Sequence, residues 1–282
     1  MPEQLFQSPW GNIPADADVR PFSRIRSAGA QLNRNNKRHH YISVTYMAGF
    51  ADERRRVWAY RADEPQKPLH LPPANTGYER YYYSQPLPDG GQENHRFEDL
   101  WNAIETVWPE TLRAIASRRL SPAVSFNTLG MATIMRTRVP AARERNEVLL
   151  AAKLRAEFQA LEAIGRLPPE FQRYAGQLDT VPVGVNPHET LLAMRADFKQ
   201  FGDQCFQMGF EVLHNGLDTP FITSDNPVCI YDPRQRPAAR RPYEFDGQVE
   251  LIFPLDARTL LRGSNRLAPV NQLVRQGPAL HT

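Results

Sequence analysis

The sequence predicts an α+β fold, with a helical central block packed against a short-stranded, mainly antiparallel sheet formed by the N- and C-terminal segments. Three observations lead there. Apolar positions in the middle of the chain recur with the helical period. Short runs near both ends, such as RRRVWAYR and ELIFP, are rich in β-branched and aromatic residues or alternate in polarity. The middle and the ends therefore belong to different structural classes, and that segregation marks α+β rather than alternating α/β architecture.

The elements follow in order. Residues 1–37 hold few periodic apolar positions and read as an irregular or flexible N-terminal arm, leaving 38–282 as a single α+β domain. YISVTYMAGF, which follows Arg38-His39-His40, reads as a strand or a short helix; its β-branched residues favour the strand. In RRRVWAYR, Val57 and Ala59 share one face and Trp58 and Tyr60 the other, the pattern of a short strand. The proline-rich stretch from Pro65 to Pro73 reads as a loop, and ERYYYS as another short strand.

The clearest helix spans about Glu93 to Ser117, with a bend expected at Pro109. Phe97, Leu100, Trp101, Ile104, Trp108, Leu112 and Ile115 line one face. Pro122 to Arg136 is apolar around most of its circumference, so it belongs between other elements, with Gly130 allowing close packing. Pro140 opens a third helix that Gly165 ends, and a fourth covers Pro187 to Phe201. After that the period shortens. Phe206 to His214 reads as a strand, Asn215-Gly216 as a hairpin turn into PFITS, and VCIY and ELIFP as further strands. Asp256 is placed to cap a short helical turn.

Composition bounds the function. The chain has 282 residues, 41% of them hydrophobic and 23% charged, in the ordinary range of a globular protein with a substantial core. A net charge of +3 is too small to mark a nucleic-acid protein without a concentrated basic face. Two cysteines, Cys205 and Cys229, do not make a disulfide scaffold or a cysteine-rich zinc site. No apolar leader opens MPEQLFQSPW, and no stretch is long and apolar enough for a membrane span, so the expected location is cytoplasmic. Nucleotide-binding glycine loops, HExxH and GxSxG are absent.

The candidate residues come from polar groups set beside apolar elements. His39 and His40 are adjacent, so their side chains diverge and do not share one metal ion. Each is either a base or ligand, or a hydrogen-bonded structural histidine. Glu98 and Glu105 fall on one side of the strongest helix, where carboxylates hold a metal, serve as a base, or are merely solvated. Asn127 is a polar residue in an apolar helix and requires a partner. Arg138 and Arg143 flank a helix junction, where they bind an anion or pair internally with Glu105, Glu144 or Asp225. In TPFITSDNPV, Asp225 and Asn226 end an apolar run, either capping their own turn or facing a pocket.

Taken in order, RHHYISVTYMAGF, VWAY, the helix with Glu98 and Glu105, RVPAAR, TPFITSDNPV and ELIFPLDARTLL resemble the bacterial and fungal family DUF4238. The family pattern HHYVPxxYLxxF reads HHYISVTYMAGF here, with Ser43 in place of the proline. Its Arg-Thr-Pro element resembles Arg138-Val139-Pro140, with Arg136-Thr137 just before, and its frequent tryptophan ahead of SDNP is replaced by Phe206 or Phe210. The resemblance implies that His39, His40, Arg138, Ser224, Asp225 and Asn226 form one recurring group. It implies no reaction.

The polar residues set beside apolar elements point to an expected activity, that of an intracellular hydrolase of a phosphodiester or other anionic substrate, a nuclease among the possibilities. His39 or His40 supplies a base, Glu98, Glu105 and Asp225 hold a divalent metal or orient that base, and Arg138, Arg143, Asn127 and Asn226 bind substrate. The alternative is a non-catalytic module for a protein or nucleic acid, with Arg34, Lys37 and Arg38 as its contact patch.

Overall fold

The computed structural model describes residues 38–83, 85–86, 92–93, 98–205, 207–234, 249–267 and 275–280. The arm expected over residues 1–37 lies outside them. Strand β1 (Arg38–His40) leads into a short helix α1 (Val44–Met47), which a 3-10 turn extends to Phe50. The helix prevails over local β-branching because Ser43 caps it: the Ser43 hydroxyl accepts from the Tyr46 N–H at 3.5 Å.

Strands β2 (Val57–Ala59) and β3 (Leu69–Leu71) pair antiparallel. β3 occupies the expected proline-rich loop, because Leu69, His70 and Leu71 leave three proline-free residues for a ladder between Pro68 and Pro72. Strand β4 (Tyr78–Arg80) pairs with β1, and the two-residue strands β5 (Gln85–Pro86) and β6 (Gln92–Glu93) pair with each other. Gly77, at φ +58°, turns the chain into β4, and its carbonyl accepts from the Tyr41 and Ile42 amides at 2.9 and 3.1 Å. A Cβ there would stand 2.7 Å from that of Ile42.

Helices α2 (Glu98–Ala116), α3 (Pro122–Thr137), α4 (Pro140–Ala163) and α5 (Pro187–Cys205) form the central block. Pro109 lies inside α2 without ending it. Proline there removes the amide that would bond the carbonyl of Glu105. The Thr45 hydroxyl donates to that carbonyl instead, at 3.4 Å, which ties α1 to α2. As its composition required, α3 is buried almost all round and packs between α2 and α5. Gly130 faces Ile104 of α2 at the α2–α3 contact.

Strands β7 (Gly209–Asn215), β8 (Cys229–Tyr231), β9 (Glu250–Pro254), β10 (Thr259–Ser264) and β11 (Arg275–Leu280) make one sheet in the order β11-β7-β10-β9-β8. Every pairing is antiparallel except β11 with β7. Phe210, Val212, Leu251, Phe253 and Leu261 face inward from it. Gly263 stands opposite Phe210, where an added Cβ would lie 2.6 Å from the ring.

The fold class is as expected, with three further local differences. The strands form several small sheets rather than one. β7 makes no hairpin with PFITS, which joins no ladder; the Phe221 amide bonds the carbonyl of Ala257 instead. Asp256 caps a β-turn rather than a helical turn, accepting from the amides of Arg258 and Thr259 at 2.7 Å each, so TLL continues as β10. One hydrophobic cluster runs from Ile42 through Trp108 and Met131 to Phe253 and Leu261, joining helices and sheet.

Candidate functional site

The adjacent histidines separate as alternation requires. His39 is 0% exposed. Its Nδ1 accepts from the Tyr83 amide at 2.9 Å, and its ring stacks on that of Tyr83 at 5.6 Å. Nδ1 therefore carries no proton in this arrangement, and the neutral ring holds its hydrogen on Nε2. His40 turns the other way and donates from Nε2 to the carbonyl of Ala74 at 3.1 Å. Both rings fasten β1 to the segment around β4.

Arg138 is the centre of the buried polar group. It caps the C-terminus of α3 and is 3% exposed. Its Nε donates to the carbonyl of Tyr41 at 3.0 Å. Its Nη1 lies 2.5 Å from Glu105 Oε1, an ion contact rather than an aligned hydrogen bond. The guanidinium stands 5.2 Å over the Trp101 ring, and the Tyr83 hydroxyl donates to the Arg138 carbonyl at 3.3 Å. Among the described residues its Nη2 has no partner. The pairing with Glu105 is the internal clamp that the sequence left as one alternative, and it joins the entry strand, α2 and the α3–α4 junction.

An aromatic rim lies beside this clamp, with Tyr41 and Arg143 half-buried and Tyr82 buried. The Tyr41 and Tyr82 rings are 5.9 Å apart. Arg143 stands 5.1 Å over the Tyr82 ring, donates to the Tyr82 carbonyl at 3.1 Å and pairs with Glu147 at 3.1 Å. Burial, then the charges of Asp225 and Glu79, raises the Tyr41 phenol above its ordinary value. Burial also drives the Tyr82 phenol far up; Arg143 pulls it down, while Glu79, Glu147 and Tyr41 push it further up. Both phenols are thus O–H donors near neutral pH, and the Tyr82 hydroxyl is buried with no partner among the described residues.

The loop carrying Asp225 is fixed from both sides. Thr223 shares a 2.7 Å hydrogen bond with the Tyr46 hydroxyl, and Arg136 Nη1 donates to the carbonyl of Val228 at 3.2 Å. The turn itself is capped by Ser224, whose hydroxyl accepts from the Asn226 amide at 3.1 Å, rather than by Asp225 or Asn226. Asp225 is left exposed, close enough to act on the Tyr41 phenol.

The structure thus brings Arg138 and Glu105 into contact and sets Arg143 over Tyr82 at the neighbouring rim, while Asp225 is exposed and acts on the Tyr41 phenol through its charge. Asn127 is elsewhere: its side chain donates to Thr111 at 3.2 Å, the partner an apolar helix demanded. The Glu98 side chain lies outside the described residues. Among the described residues, no three of His, Cys, Asp and Glu are grouped so as to hold a metal ion. An apolar cavity of about 220 Å³, lined by Phe158, Phe171, Tyr174 and Leu178 among others, shares no residue with this site. Tyr41 and Tyr82 were not singled out from the sequence, though both stand in quoted motifs, HHY and YYY.

These contacts define an α+β protein with an aromatic, mixed-charge rim over a buried arginine–glutamate clamp. The chain belongs to the DUF4238 family, described as a protein of unknown function, which matches residues 38–281. Comparison with curated proteins and with solved structures returns no match. Among the described residues no helix is long and apolar enough to cross a membrane.

Proposed function

We propose that the protein is a cytoplasmic hydrolase acting on a phosphodiester or another anionic substrate at the rim of Tyr41, Tyr82, Arg143 and Asp225. The observation that carries this reading is that segments far apart in sequence set Arg143 over the Tyr82 ring, that ring 5.9 Å from Tyr41, and Tyr41 within the field of the exposed Asp225 carboxylate. Arg143 and the Tyr41 phenol supply donors for an anionic group, and the buried Tyr82 ring supports the Arg143 guanidinium. Asp225 supplies the base, a role that passes from His39 because the accepting nitrogen of that ring is occupied and sealed. Arg138 and Glu105 are positioning residues, since they hold the backbone of Tyr41 and the helix junction that carries Arg143. The exposed thiol of Cys229 suits a reducing compartment.

The test is a hydrolysis screen with chromogenic phosphodiesters, phosphomonoesters and carboxylic esters, with and without added Mg²⁺ or Mn²⁺. Asp225→Asn should lower kcat by about a hundredfold or more with little change in KM, the scale of a lost general base. Arg143→Gln should mainly raise KM. Anion binding without turnover in the wild type would sink the enzymatic reading and leave a binding module.

A further inference from the structure

The hairpin of β2 and β3 carries an aromatic surface that the core does not use. Trp58 is 58% exposed, and Tyr60, two residues on, is 67% exposed. His70 faces Trp58 across the ladder, and the two rings lie flat on each other, 4.4 Å apart and 12° from parallel. On the opposite face Val57 is buried and anchors the hairpin.

This stack is held in place from behind. His70 Nε2 bonds Asp52 Oδ2 at 2.8 Å. The other Asp52 oxygen accepts from the amides of Arg54 and Arg56 at 3.0 Å each. Arg56 donates from Nε to the carbonyl of His70 at 3.1 Å. Arg55 adopts φ +58°, a conformation that side chains rarely take, and its amide is bonded to the Asp52 carbonyl at 2.8 Å. One carboxylate thus fixes both the ledge and the turn beside it.

The charge around the ledge is uneven. Asp63 and Glu64 are paired with Arg61 and Lys67. Asp52 is occupied by His70 and the backbone. Arg54 and Arg55 remain exposed at the turn, with Glu53 the adjacent acid. A rigid, flat, exposed ledge next to two arginines complements a ligand that pairs a planar ring with a phosphate. Bases of a single strand offer that combination, because their faces are free to stack; bases inside a duplex do not.

We propose that the β2–β3 hairpin is a stacking platform for single-stranded nucleic acid, with the outer face of Trp58 as the ledge, His70 backing it from the inner face, and Arg54 and Arg55 holding the adjoining phosphates. The site shares no residue with the rim of Tyr41 and Asp225, and its test reads binding without turnover, so the two readings fail independently.

The test is fluorescence anisotropy of a short labelled oligo(dT) with the full chain, titrated over a range of salt. Binding should weaken as salt rises. Trp58→Ala should cost about tenfold in affinity, while Trp58→Phe retains most of it. Arg54→Gln combined with Arg55→Gln should flatten the slope of log K against log salt by roughly 1.4, about 0.7 for each lost contact. Circular dichroism melting should be unchanged in these surface variants. Absence of salt-dependent binding, or a Trp58→Ala variant that binds as well as the wild type, overturns the proposal. So does a duplex of the same length that competes as well as the single strand, since charge alone would then explain the binding.

Discussion

Arg138 shows what a single residue does here. A guanidinium this deeply buried persists only when its charge is answered, and Glu105, the Tyr41 carbonyl and the Trp101 face answer it. Arg138→Met should therefore destabilise the fold by about 3 kcal/mol, at the low end for a broken buried pair because Glu105 retains some solvent. Urea denaturation checks this, and Glu105→Gln in the Arg138→Met background should restore part of the loss. A loss under 1 kcal/mol would mean that the clamp does not hold the junction. The sequence made Arg138 legible because an arginine beside a helix-opening proline stands out. Glu105 was legible too, from its place at the edge of the apolar stripe. Their contact was legible as one of three possible pairings, with Glu144 and Asp225 the others, and which one forms depends on how α2 meets the α3–α4 junction. His39 and His40 were visible as a pair, but periodicity alone does not say which nitrogen a neighbouring amide will occupy. Tyr41 and Tyr82 escaped notice because an apolar-looking tyrosine in a core motif becomes a site group only when charges from other segments act on it.

At the scale of elements, the helices were the readable part and the sheet the less readable one. Helices announce themselves through local spacing and proline starts, and α3 and α4 lie close to their expected bounds; α2 begins only at Glu98, its expected start at Glu93 falling in β6, and α5 runs past Phe201 to Cys205. Strand partners are set by distant residues. The Asn215-Gly216 turn signal suggested a local hairpin, yet β7 pairs with β10, and Asp256 closes the real hairpin between β9 and β10. What fixes that pairing is packing across the ladder. Gly263 has no side chain because the Phe210 ring lies across its position from the neighbouring strand. Gly263→Ala should cost about 1–3 kcal/mol through overpacking, since both the ring and Leu251 crowd the site. Adding Phe210→Leu should recover part of that loss in the same melts. If Gly263→Ala is neutral, the ring moves freely and does not set the register.

At the scale of the molecule, the question is whether the helical block and the five-stranded sheet stand or fall together. Tyr46 is the joint. It is 0% exposed, its ring stacks on Phe253 at 5.3 Å, and its hydroxyl bonds Thr223 at 2.7 Å and the Pro254 carbonyl at 2.9 Å. Burial drives its phenol far above the ordinary value, so it remains a donor throughout the physiological range. The same short helix reaches α2 through Thr45 and the Glu105 carbonyl that Pro109 leaves open. α1 therefore bonds both halves of the molecule, and a shared hydrophobic cluster runs beneath it. Tyr46→Phe should lower stability by about 2 kcal/mol, because it leaves a buried hydroxyl and a carbonyl without their donor or acceptor while keeping the stacked ring. The decisive comparison follows unfolding with two probes: tryptophan fluorescence, dominated in the interior by Trp101 and Trp108 of α2, and hydrogen exchange of the β7 and β10 amides. In the wild type both probes should report one midpoint. In Tyr46→Phe both should shift together, since weakening a joint inside one cooperative unit lowers the whole transition. Midpoints that separate, with the sheet amides exchanging while α2 stays folded, would show that the family's N- and C-terminal motifs are two units held in contact rather than one fold.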